Sequence, residues 1–162
     1  MRSEGYSLLE TMFIVAIVAI LAVIGTLQFR EYLQRYRTEA QTRLLFTELL
    51  KARTQAIYQH RRTRVKLYAD RFAVYSSLQD SSTVTPVQTH SLNYRLTSKS
   101  DLAVGQDIDF DETGITYDWC SVCLEDSAGA GGVDSVVIAA TRVSIGKKDK
   151  GNVCESDSIT LK

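Results

Sequence analysis

Three cysteines are the residues best equipped for chemistry in this chain: Cys120 and Cys123, in a Cys-x-x-Cys spacing, and Cys154 further on. Thiolates so arranged suit zinc, but a structural zinc site wants four ligands, and neither His60 nor His90 is near in sequence. The same spacing serves redox exchange, yet it lacks the βαβ setting of a thioredoxin-like protein. A structural disulfide is the third reading, and it needs an oxidising compartment. Other patterns are thinner. Gly129, Gly131 and Gly132 do not make a dinucleotide loop, and no Gly-x-Ser-x-Gly elbow or Walker-type loop is present. His60 and His90 stand alone, as surface or strand residues. An enzyme is therefore the class the residues support least, and no cofactor or metal is expected. Two basic clusters could meet phosphates: His60 to Arg64, and Arg142 with Lys147, Lys148 and Lys150. The net charge of +0 gives no global basic excess that would advertise nucleic acid.

One acid stands apart. Glu10 directly precedes an uncharged run from Thr11 to Phe29. Roughly nineteen helical residues at ~1.5 Å each span about 28 Å, close to the hydrocarbon core of a bilayer. An acid at the edge of a lipid-facing helix is costly, so it normally has a partner and a job. An ordinary secretory signal wants a basic leader and a small-x-small cleavage site. Here Arg2 is balanced by Glu4, and nothing like Ala-x-Ala ends the run. A plain single-pass signal anchor leaves Gly5 and Glu10 unexplained. Arg30, Arg35 and Arg37 follow the run, so loop charge alone does not orient it.

The elements around these residues follow from periodicity. From Arg30 to about Tyr58 the pattern stays helical and becomes amphipathic: Leu33, Tyr36, Ala40 and Leu44, then Leu45, Leu49, Ala52 and Ala56 after a small shift. No proline interrupts residues 6–59, so the spacing predicts one helix of some fifty residues, ~80 Å long. After Gln59 the period becomes two. Val65 and Leu67, then Phe72 and Val74, flank Ala69 and Asp70 as a hairpin does. Further strands are expected at Leu92–Leu96, Asp107–Phe110, Gly114–Tyr117, Val133–Ala140 and Arg142–Ile145, with turn-rich links at Gln79–Thr83 and Ser127–Gly132. The expected fold class is α+β: a long N-terminal helix whose second half packs on a C-terminal antiparallel sheet.

The N-terminal residues carry a resemblance. Gly5 followed by Tyr6, Ser7, Leu8, Leu9 and Glu10, then by the apolar stretch Ile17 to Ala22 and by Gln28 and Phe29, closely resembles the class III signal of type IV prepilins and type II secretion pseudopilins. Leu27 stands where major pilins often carry a proline, which favours a minor subunit. Leu45 to Leu67, Ile108 to Ile115 with its Phe110-x-x-x-Gly114 core, and Val136 to Val143 look like GspH/FimT-type minor pseudopilins. The resemblance implies a prepilin leader over 1–5, a transmembrane and filament-core helix over 6–29, its amphipathic continuation over 30–59 and a periplasmic β-rich domain over 60–162. It implies cleavage between Gly5 and Tyr6 by a prepilin peptidase, N-methylation of Tyr6, and assembly through Glu10 paired with a neighbour's terminal amine. Partners would be other pilin or pseudopilin subunits, membrane lipid and the inner-membrane assembly platform. An oxidising periplasm would allow Cys154 to bond Cys123 or, alternatively, Cys120, closing a loop of about 30 residues worth roughly 3–4 kcal/mol. Some FimT-type subunits bind DNA through a Gly-Arg-x-Arg-like element. The corresponding stretch here keeps Arg142 but lacks the glycine and the second arginine, so DNA is the alternative partner, with Arg142, Lys147 and Lys148 as its candidate contacts.

Overall fold

A computed structural model of the chain describes residues 7–79, 84–125, 132–149, 151 and 153–162. Among these residues the chain forms one helix, nine strands and a 3-10 turn. The helix, α1, runs Leu8–Gln59 without a break. The chain divides into two compact units, one ending at Gln34 and one comprising Arg35–Lys162.

In the first unit the helix buries almost nothing. From Leu8 to Ile24 its large apolar side chains are between 49% and 78% exposed.

In the second unit the helix presents a buried stripe: Thr38, Gln41, Thr42, Leu45, Glu48, Leu49, Ala52 and Ala56. These steps of three and four put one face against the core. The stripe corrects part of the sequence expectation. Leu45, Leu49, Ala52 and Ala56 are buried as expected, but Tyr36 is 64% and Leu44 38% exposed. Polar Thr38, Gln41 and Thr42 lie on the buried face, where Gln41 and Thr42 find folded partners. Thr42 Oγ1, for example, reaches the carbonyls of Thr38 and Val133.

The strands make two antiparallel sheets rather than one. Sheet A is ordered β3-β2-β1-β5 and comprises β1 (Thr63–Leu67), β2 (Arg71–Tyr75), β3 (Gln88–Ser91) and β5 (Gln106–Phe110). Sheet B, ordered β4-β6-β7-β8-β9, comprises β4 (Leu96–Ser98), β6 (Cys120–Leu124), β7 (Ser135–Ile138), β8 (Val143–Lys148) and β9 (Ile159–Leu161). The β1–β2 hairpin turns through Ala69 and Asp70 as expected, and Val65 stands opposite both Val74 and Ile108. Leu45, Leu49, Ala52 and Ala56 share one core with Leu67, Phe72 and Phe110 of sheet A and Val122, Val136 and Ile138 of sheet B. The fold class is α+β, with the helix packed on a two-sheet antiparallel domain.

Two expected strands are absent, each for a visible reason. Residues 92–95 are irregular, and β3 and β4 flank them. Gln41 supplies what a neighbouring strand would have: its Oε1 accepts from the backbone N–H of Asn93 and Tyr94, and its Nε2 donates to the Tyr94 carbonyl at 2.7 Å. Gly114–Tyr117 is a turn. Asp111 Oδ1 accepts from Thr113 N, Thr113 Oγ1 and Ile115 N, which curls the chain back on itself. Gly114 sits there at φ 79°, and a Cβ would lie 2.6 Å from Ile57 Cδ1, so both backbone and space require glycine. β3, β4, β6 and β9 are strands that the sequence pattern did not reveal. Of the two turn-rich links, residues 80–83 and 127–131 lie outside the described residues.

Candidate functional site

The first candidate is the exposed N-terminal part of α1. Between Leu8 and Thr26 the polar side chains are Glu10, Thr11 and Thr26. Each threonine hydroxyl donates to a carbonyl one turn back, Thr11 to Leu8 at 2.8 Å and Thr26 to Val23 at 2.9 Å. A helix that satisfies its own hydroxyls and backbone suits surroundings that offer no water. It is the one helix long and apolar enough to cross a membrane among the described residues, and that apolar stretch is not buried within the protein. Glu10 lies in the first turn, exposed, with no hydrogen bond or ion pair among the described residues. No described residue claims the carboxylate, and the turn's free N–H groups favour negative charge there. Gly5 and Tyr6 lie outside the described residues.

The cysteines divide into two environments. Cys123 and Cys154 are disulfide-bonded, with Cα atoms 5.9 Å apart, joining β6 of sheet B to the segment that precedes β9. Cys120 is free, three residues earlier on the same strand, and packs against the main core. Burial, then the nearby charge of Asp118, pushes its thiol up to about 12, only partly offset by a hydrogen bond from Gln106. A thiol held protonated is a poor nucleophile and a poor metal ligand. No cluster of three or more His, Cys, Asp or Glu able to hold a metal occurs among the described residues.

The basic residues do not converge. Arg142 sits in the tight β7–β8 turn, where its backbone exchanges hydrogen bonds with Ala139. Lys147 and Lys148 lie at the far end of β8, about 17 Å away at ~3.3 Å per residue. Being consecutive in a strand, those two lysines point to opposite faces of sheet B. Lys150 lies outside the described residues. In the other cluster, Arg64 is committed to a two-pronged pair with Asp109 at 2.7 and 2.8 Å and also reaches Asp107 at 3.1 Å. Arg61 donates to the Ser76 carbonyl. Arg62 lines a cleft shared with Asp109, Asp111 and Asp118, so carboxylates face it.

Some positioning residues escaped the sequence. Gln41 organises the 92–95 segment, and Arg53 Nε holds the Gly114 carbonyl at 2.8 Å. Both are polar residues on a helix that also carries many solvated ones. Their one sequence signal is a place on the buried stripe or beside it.

No protein-family model matches the chain, and no curated protein sequence does. Among solved structures it is similar to the type IV minor pilin FimU of Pseudomonas aeruginosa in two crystal forms. One aligns with a TM-score of 0.56 at 16% identity, covering 70% of this chain and 91% of that one. The other aligns with a TM-score of 0.53 at 17% identity, covering 65% and 90%. At such identity the likeness establishes the fold, which is the pilin fold.

Proposed function

We propose that the chain is a minor pilin or pseudopilin subunit of the GspH/FimT type, a filament component rather than an enzyme. The observation that carries this reading is the exposed apolar stretch of α1 headed by Glu10, which has no partner among the described residues, on a chain whose β domain has the pilin fold. In this reading the precursor is anchored in the inner membrane by residues 6–29, with its β domain in the periplasm. A prepilin peptidase cuts after Gly5, and Tyr6 is N-methylated. The subunit then enters a filament through the assembly platform. There Glu10 faces the terminal amine of a neighbouring subunit in a medium of low dielectric, where an unpaired charge is costly and pairing fixes axial register. Likeness to a type IV minor pilin inclines the reading toward a pilus over a secretion pseudopilus.

The test is a deletion strain, with surface filaments sheared off, counted and probed for this protein. Lost filaments, or the protein within them, support a pilus subunit. Normal filaments without the protein move it to the secretion pseudopilus, with secreted proteins as the next readout. Protein in neither assembly refutes the proposal. The alternative, a DNA-binding subunit displayed on the filament, has less support because Arg142, Lys147 and Lys148 share no face. Phosphate-driven binding falls steeply with salt, so a DNA titration across a salt series checks it.

A further inference from the structure

A cavity of about 470 Å³ opens on sheet B, well away from α1's apolar stretch in sequence. One wall follows β4 with Lys99 and Ser100, Trp119 stands at the entrance to β6, and the opposite wall is the segment from Cys154 to Asp157. Trp119 is 71% exposed and is the only tryptophan in the chain. An indole left this open at the lip of a concave, mixed-polarity site offers a flat apolar face with polar groups beside it.

The charges around it narrow the ligand class. Lys99 Nζ is already held by Glu155 Oε1 at 2.9 Å, which leaves Asp157 without a cation among the described residues. Ser156 Oγ donates to Asp157 Oδ1, and Ser100 adds another hydroxyl. A phosphate or other anion would meet a carboxylate with no free cation beside it among the described residues. A wholly apolar ligand would strip water from hydroxyls and carboxylates and return no hydrogen bonds. What fits is a neutral molecule with one apolar face and a rim of hydroxyls. A pyranose is such a molecule: its C–H face lies on indole, its hydroxyls donate to Glu155 and Asp157, and they accept from Lys99 and Ser100. We propose that this cleft binds a neutral hexose unit of a glycan. The Cys123–Cys154 bridge ends inside the cleft, so it also positions the Glu155 wall against β6. The inference concerns the β domain alone and is independent of how the N-terminal helix is used.

The test uses the full chain in a sugar-free detergent, titrated with the methyl glycosides of glucose, galactose, mannose and N-acetylglucosamine. Because the chain has one tryptophan, intrinsic fluorescence reads Trp119 directly. A saturable change with at least one glycoside, in the millimolar range, is the expected result. Ligand-observed NMR should then show binding lost in Trp119→Ala and weakened about tenfold in exposed Asp157→Asn, with the circular dichroism of both unchanged. No saturable response to any of the four glycosides overturns the proposal. Binding that survives both substitutions overturns it as well. A Trp119 response to added copies of the chain, with none to the sugars, would show a protein contact surface instead.

Discussion

Leu21 and Leu49 belong to the same helix, yet one is 62% exposed and the other is completely buried. The stretch around Leu21 has no partner among the described residues of its own unit, whereas Leu49 meets two sheets through a core that includes Val65, Phe110 and Val136. Composition would rank the first stretch as the more core-like. The comparison teaches that hydropathy measures a demand for cover, not who supplies it. In the first region no described residue supplies that cover, and the proposed function assigns it to lipid or neighbouring helices. In the second, the β domain provides it.

The sharpest way to break that comparison is at the N-terminus, where all of the function is assigned to outside contacts. We expect Gly5→Leu to leave the leader attached and Glu10→Gln to keep cleavage but abolish incorporation, as immunoblots of membrane and sheared-filament fractions would show. Normal incorporation of Glu10→Gln would remove the carboxylate from the assembly mechanism. Next in size is a matched pair. Leu49→Ala should cost about 2–5 kcal/mol in denaturant unfolding of the detergent-solubilised chain. Leu21→Ala should leave the β-domain transition where it was, and an equal loss from the two would mean the helix is stabilised as one body. Cys154→Ser should then cost roughly 2–4 kcal/mol, because it frees a loop in the unfolded chain; an unchanged transition would show that the bridge does not stabilise the domain.

The smallest effect sits at the end of the helix. His60 takes a left-handed φ of 46°, with Arg61 N donating to the Ala56 carbonyl and His60 N to that of Ile57. This is the pattern in which glycine usually follows a helix, so His60→Gly should stabilise the domain by about 1 kcal/mol. A lowered melting temperature would contradict that reading.

How far the sequence carried depended on whether the deciding interaction was local. The helix through residue 59, the β1–β2 hairpin and the strand ending at Phe110 are all written in periodicity, and the structure agrees with each. Residues 92–95 look like a strand until Gln41, some fifty positions away, takes their hydrogen bonds. Gly114–Tyr117 looks like a strand until Asp111 folds the chain back. The buried face between residues 36 and 44 was misjudged because threonine and glutamine read as solvated until their partners are known. The division into two sheets is likewise invisible in period-two patterns, which say that strands alternate but not whom they join. Of the candidate site, the apolar run and the place of Glu10 at its head were legible at once, because hydropathy is a matter of composition. Trp119 was not, because its proposed role rests on a cleft drawn from four separate segments.

The threonine hydroxyls of the apolar stretch have a last consequence, which concerns information. With Thr11 and Thr26 turned onto their own carbonyls, residues 8–26 leave no side-chain donor free, and their one charge is Glu10. A surface so nearly featureless can specify a position along an axis but carries little with which to tell one neighbour from another. Any apolar helix with a suitably placed cation would satisfy it equally. In the proposed filament, discrimination among partners would then fall to side chains outside residues 8–26, those of the β domain among them.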